Sequence, residues 1–188
     1  MTIYKGIFYF RSYGKNKLQN VVTGAQPSAI SVDGNRVDSC TTFTYLSSLQ
    51  SSDGYCRPDI KRRIGLASSV MASLSNVWKR RHLSIPTKIR VYQALVTSVL
   101  LYTSETWTMF ASDLKTLEAF HMKCQRQILQ FNWQQFIRNE EITATTGLPS
   151  MSDIISRCRN AVIGHIARLD TTVPAHQALR AHVNLSLG

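Results

Sequence analysis

Along residues 58–81 the apolar positions Ile60, Ile64, Ala67, Met71, Leu74 and Trp78 recur in steps of four and three. That spacing is the stripe of an amphipathic helix. Pro58 suits its first turn and Asp59 its positive end. The helix is predicted to stop near Arg81, where Lys79, Arg80 and Arg81 complement the C-terminal dipole. Ser84 is a good N-cap for a second helix, with Pro86 in its first turn, running to about Tyr102. Its apolar residues, Ile89, Val91, Tyr92, Leu95, Val96, Val99, Leu100 and Leu101, cover most of its circumference, which predicts a central place in a bundle. A third helix opens at Ser112-Asp113 and keeps Leu114, Leu117, Phe120, Cys124, Ile128 and Phe131 on one face. A short helix from Asn139 is predicted to end at Gly147-Leu148-Pro149. A further helix covers about 152–169, and a short one starts at Pro174.

Before residue 55 the pattern is β-like. Val21-Val22-Thr23-Gly24 reads as a strand. Ile30-Ser31-Val32 and Arg36-Val37 flank Asp33-Gly34, a local hairpin signal because both turn residues tolerate positive φ. Residues 42–46 read as a third strand and residues 47–55 as a Ser/Asp/Gly loop. Residues 1–20 mix aromatics with Lys and Gly without a clean period; they read as a ragged strand or as an atypical leader outside any fold. The expected fold is mainly α, with a small N-terminal β-hairpin element followed by a bundle of four to five helices. It divides into a leader (1–20), a β element (20–54), a helical bundle (55–135) and a C-terminal helical extension (136–188).

Charge changes this picture more than composition does. The chain carries 22 Lys and Arg against 11 Asp and Glu, a net of +11. Residues 1–90 hold 14 basic and 4 acidic side chains, whereas residues 91–188 hold 8 and 7. So focused a positive field points to a polyanion, either nucleic acid or an anionic membrane surface. The longest apolar run, residues 94–102, is interrupted by Thr97 and Ser98 and is too short to cross a bilayer. The N-terminus has no signal-peptide layout. Cys40, Cys56, Cys124 and Cys158 are widely spaced with no CxxC, which predicts reduced, buried thiols and an intracellular, cytoplasmic or nuclear location.

Candidate chemistry is sparse. Two-metal phosphoryl transfer needs clustered carboxylates, but Asp33 and Asp38 fall in the hairpin, and Asp53 and Asp59 flank a loop. Glu140-Glu141 sits at a helix start, where acids are expected for dipole reasons. No phosphate-binding loop, dinucleotide fingerprint, zinc-protease motif or nucleophile elbow occurs. His121 and Cys124 form an HxxC without a second ligand pair. No catalytic residue, metal site, cofactor or small-molecule substrate is therefore assigned.

The basic helix is the most informative feature. Lys61-Arg62-Arg63 and Lys79-Arg80-Arg81 are 18 residues apart, so on one continuous helix each residue eclipses its counterpart, about 27 Å along the axis. Arg62 and Arg80 would point away from the apolar stripe, with Ser69, Ser73 and Asn76 between them. Lys88 and Arg90 extend the basic region into the next helix. Such a face neutralises phosphates with its cations and donates hydrogen bonds from Ser and Asn, with little sequence reading. Trp78, Trp107 and Trp133 lie near predicted helix ends and read as core or corner packing rather than base-stacking platforms.

These residues also suggest a family. The succession Phe43-Thr44-Tyr45-Leu46-Ser47-Ser48, Asp59-Ile60, Arg63-Ile64 and Trp78 resembles the C-terminal part of non-LTR (LINE-type) retrotransposon reverse transcriptases. So does the continuation Leu83-Ser84, Thr87-Lys88, Tyr92, Leu100-Leu101-Tyr102 and Glu105-Thr106-Trp107. Further on, Leu114, Leu117, Phe120, Cys124, Arg126, Ile128-Leu129, Trp133, Asn139, Ile142, Gly147, Arg157, Arg159, Gly164-His165 and Arg168 keep the order, so that the resemblance spans roughly residues 20–170. It implies that Phe43, Tyr45 and Leu46 are primer-grip-like, that the following helices form a thumb holding template–primer duplex, and that RNA or RNA–DNA duplex is the partner. It also implies that the palm domain is the natural packing partner. The family's Ala-Asp-Asp catalytic turn has no counterpart in this chain, and where the family usually has Gly this chain has Ser47; if that position takes positive φ, Ser adds strain. The resulting expectation is a reverse-transcriptase remnant without a catalytic palm that binds nucleic acid and does not polymerise. The alternatives are a non-functional fragment or a helical protein-interaction module.

Overall fold

The computed structural model describes residues 2–4, 7–12, 15–20, 30–32, 35–37, 40–132 and 134–187, and these are mainly helical. Strands β1 (Thr2–Tyr4), β2 (Ile7–Ser12) and β3 (Lys15–Asn20) form an antiparallel sheet in sequence order, so the described residues of the expected leader are paired β structure. Strands β4 (Ile30–Val32) and β5 (Asn35–Val37) pair antiparallel on either side of the predicted Asp-Gly turn. The turn residues themselves, the strand predicted at Val21-Val22-Thr23-Gly24, and Trp133 lie outside the described residues.

Strand β6 (Thr42–Tyr45) pairs with β7 (Ser48–Ser51), in the register Thr42↔Ser51 to Tyr45↔Ser48. The predicted loop over 47–55 is therefore partly strand; β7 is polar enough to lack a strand signal. Leu46 ends no strand but begins the two-residue turn: Leu46 and Ser47 have φ of 44° and 62°. Two successive positive φ values are the pattern of a type I′ hairpin turn, which Asn-Gly fits and Leu-Ser does not. Two guanidinium groups hold this turn, as described below.

The helices are α1 (Arg57–Ser73), α2 (Ser75–Lys79), α3 (Ile85–Val91), α4 (Ser98–Leu100), α5 (Ala111–Leu129), α6 (Asn139–Thr146), α7 (Met151–Ala167) and α8 (Pro174–Leu187). A π-helical stretch, Tyr92–Thr97, joins α3 to α4, so the predicted second helix is continuous but not uniform. Its N-cap is Ser84, whose Oγ accepts from Thr87 N at 3.4 Å. Ile60, Ala67, Met71, Trp78, Tyr92, Val96, Leu100, Leu117, Cys124, Ile128, Met151 and Ile155 are buried in one core, to which both the 55–135 and the 136–188 regions contribute. Gly147 ends α6 at φ 66°, the left-handed C-cap that glycine permits.

The predicted single helix over 58–81 is broken. At Leu74 the backbone turns to φ −88°, ψ 10°. The indole Nε1 of Trp78 donates to the carbonyl of Met71 at 3.0 Å. That carbonyl is the one that the Ser75 N–H would take in a continuous helix. A side chain inserted into the backbone ladder is a recognised cause of a kink.

Glycine at position 47 should stabilise the chain. Left-handed backbone costs an L-residue roughly 1–2 kcal/mol, and glycine loses roughly 0.5–1 kcal/mol more chain entropy on folding. Ser47→Gly is expected to raise stability by up to about 1 kcal/mol, seen as a higher urea midpoint; a lowered midpoint would show that the turn holds no strain.

Candidate nucleic-acid interface

Asp59, at the start of α1, is 1% exposed. Its Oδ1 accepts from Leu49 N at 3.0 Å, and its Oδ2 accepts from Ser48 Oγ at 3.3 Å and from Trp107 Nε1 at 3.1 Å. One carboxylate thus ties the β6–β7 hairpin, α1 and the segment after α4 together. Arg63 Nε and Arg62 Nη1 each lie 3.8 Å from Asp59 Oδ1, close enough for charge attraction but not for a hydrogen bond.

Both arginines then reach the hairpin turn. Arg62 Nη1 donates to the Ser47 carbonyl at 2.9 Å, and Arg63 Nη2 donates to the same oxygen. Arg63 also lies 4.5 Å from the Tyr102 ring centroid and is 5% exposed. Burial lowers the pKa of its guanidinium, while Asp59 opposes that shift. Arg63 is therefore a buried, paired structural cation and not the phosphate contact the sequence suggested. Arg62 remains partly exposed but does not point straight outward.

Lys88 is buried as well, and not on the open basic face that the sequence suggested. Its Nζ donates to the Trp78 carbonyl at 2.6 Å and the residue is 6% exposed. Gln130 Nε2 donates to the same carbonyl. Lys88 thus caps the C-terminal end of α2, where a cation favours the helix dipole. The helix break at Leu74 also removes the eclipsed alignment of the two basic triplets. Lys79 ends α2, Arg80 is extended (φ −68°, ψ 115°) and Arg81 lies in the turn that follows.

Lys61, Lys79, Arg80, Arg81 and Arg90 are exposed. Ser69 and Ser73 are exposed too, but their hydroxyls donate to their own helix, to Gly65 O at 3.2 Å and Val70 O at 2.8 Å. That local bonding competes with donation to phosphate. Asn76 is exposed on α2. Among the primer-grip-like residues, Phe43 is half-buried in β6, Tyr45 closes that strand, and Leu46 is 70% exposed in the turn. Sequence reasoning passed over Arg57, a half-exposed cation whose signal was its place four residues before Lys61 on one helix face.

The HxxC pair lies in the core. His121 Nδ1 is 2.8 Å from the Tyr92 hydroxyl, and burial holds the imidazole pKa below its ordinary value against the Glu118 carboxylate and the Pro149 carbonyl. Burial pushes the Cys124 thiol up to about 12 and the Cys56 thiol up to about 11. Among the described residues no three His, Cys, Asp or Glu side chains are grouped to hold a metal ion. No helix among them is long and apolar enough to cross a membrane. Trp78 and Trp107 are buried corner residues, as the sequence predicts. No protein-family model matches the chain, and no curated protein or solved structure matches it significantly.

Removing the Asp59 charge should expose its importance. Asp59→Asn leaves the Arg63 guanidinium buried without its counter-charge, a change that costs about 3–5 kcal/mol. Trp107→Phe removes one hydrogen bond, worth about 1 kcal/mol. Urea unfolding is expected to rank Asp59→Asn well below Trp107→Phe; equal, small losses would contradict the role assigned to this carboxylate.

Proposed function

We propose that the chain is a thumb-like module related to non-LTR retrotransposon reverse transcriptases, which holds RNA or RNA–DNA duplex by its phosphates and does not itself polymerise. The observation that carries this reading is that residues picked out by the resemblance bond to one another. Asp59 accepts from Trp107, and Arg63 pairs with Asp59. Lys88 donates to the Trp78 carbonyl, and Arg159 donates to the Trp107 carbonyl. Arg126 Nη2 donates to Asn139 Oδ1 at 2.9 Å. The longest of these contacts, Arg159 to Trp107, joins residues 52 positions apart.

Duplex binding itself rests on the cations left in water: Lys61, Arg62, Lys79, Arg80, Arg81 and Arg90. Each that meets a phosphate releases a counterion, so affinity falls with salt. Arg63 and Lys88 leave the list because both are buried, Arg63 beside Asp59 and Lys88 on the Trp78 carbonyl.

A second reading has its own support. Helix α7 leaves Val162 and Ile163 exposed, at 40% and 51%, as a protein-binding helix would.

A labelled RNA–DNA hybrid titrated across a salt series separates the two. Duplex binding requires a steep fall of affinity with salt, and Arg80→Ala/Arg81→Ala should reduce the logarithmic slope by about 2. Weak binding without a salt slope would exclude the duplex reading and favour the protein-binding one.

A further inference from the structure

A cleft of about 490 Å³ opens beside the start of α1, lined by Asp53, Tyr55, Arg57, Pro58, Lys61 and Phe110. Two aromatic side chains stand in its wall in water. Tyr55 is 46% and Phe110 49% exposed, with ring centroids 5.0 Å apart and planes tilted by 44°. The two rings thus form a small apolar patch at the wall of a concavity.

Cations line the same cleft. Arg57 and Lys61 are one helical turn apart on α1. The Arg57 guanidinium is held in place by Asp113 Oδ1 at 2.8 Å and Ser112 Oγ at 2.9 Å, and its side chain is still half exposed. No ion pair engages Lys61 among the described residues. A smaller hollow of about 200 Å³ continues the cleft past Arg57 and Lys61 to Ser112, Asp113 and Thr116. The anion at the rim, Asp53, is engaged by the Ser51 side chain and by Tyr55 N at 2.9 Å, and these bonds hold its pKa below the usual carboxylate range.

Exposed aromatic rings beside two cations are the chemistry of one unpaired nucleotide. We infer that this cleft takes a single unpaired nucleotide, with its base on the Tyr55 and Phe110 rings and its phosphate on Lys61 and Arg57. The site reads no sequence, because every base offers a π-face. It would seat a strand end or overhang that leaves the duplex held by the exposed cations, and to that extent it rests on the duplex reading. A purely apolar ligand would leave the Lys61 cation at the cleft wall without a partner.

The test compares three probes on the intact chain: a blunt RNA–DNA hybrid, the same hybrid with a three-nucleotide RNA overhang, and single-stranded hexauridylate. Phe110→Ala and Tyr55→Leu are made alongside, and both change exposed rings that the core does not need. The overhang is expected to bind roughly tenfold tighter than the blunt hybrid. Both variants should erase that advantage while leaving blunt-hybrid affinity unchanged. Hexauridylate should bind weakly to the native chain and more weakly still to Phe110→Ala.

Equal affinity for blunt and overhanging hybrids, or an advantage that survives both variants, overturns the cleft assignment and leaves duplex binding standing. Hexauridylate binding that depends on Phe110, without any hybrid binding, upholds the cleft and removes the duplex reading. Binding of an acidic aromatic peptide that depends on Phe110, with none of hexauridylate, overturns the nucleotide and puts a protein segment in its place.

Discussion

The Asp59 carboxylate is the constraint on which the rest of the described structure depends. It takes hydrogen bonds from a strand backbone, a serine hydroxyl and an indole, and it faces two guanidinium groups. A buried carboxylate is tolerated only when its charge is matched and its lone pairs are filled. Satisfying it fixes three separate segments: the β6–β7 hairpin, the first turn of α1 and the stretch around Trp107. It also decides the fate of two cations. Arg63 is drawn inside, and Arg62 is bent back towards the Ser47 carbonyl.

Trp78 plays a similar part at the far end of α1. Its indole takes the carbonyl that would have continued the helix, and its own carbonyl is capped by Lys88 and Gln130. The chain turns there, so Lys79, Arg80 and Arg81 are delivered to a corner and not along a straight rod. Nucleic-acid contact through this region would be made by a bent surface with its cations at the hairpin end of α1 and at the α2 corner.

The helices were legible because their burial depends on periodicity. The steps from Ile60 to Trp78, the Ser84 cap and the Gly147 stop each reflect a local rule, and each element lies close to its predicted place. The break at Leu74 was not legible, because it comes from an indole reaching back seven residues to a carbonyl, and no periodic pattern records that. Strand β7 was missed for a related reason. Its residues are mostly polar, and Ser48, the one that is buried, reads as loop until Asp59 is placed beside it.

The same limit shaped the interface. Charge counting identifies every cation but not its counter-charge. Arg63 and Lys88 read as phosphate contacts in a list of basic residues, yet their partners, Asp59 and the Trp78 carbonyl, lie four and ten residues away. The half-exposed Tyr55 and Phe110 are 55 positions apart and form no sequence pattern at all. The division of the basic residues into structural and solvent-facing sets is therefore the central claim. It is tested most directly by acetylating the native chain with and without bound RNA–DNA hybrid and mapping the modified lysines by mass. Lys61 and Lys79 should react in the free chain and be protected by the hybrid, while Lys88 stays unmodified in both. Reaction of Lys88 in the native chain, or Lys61 and Lys79 equally reactive with hybrid bound, would contradict the account.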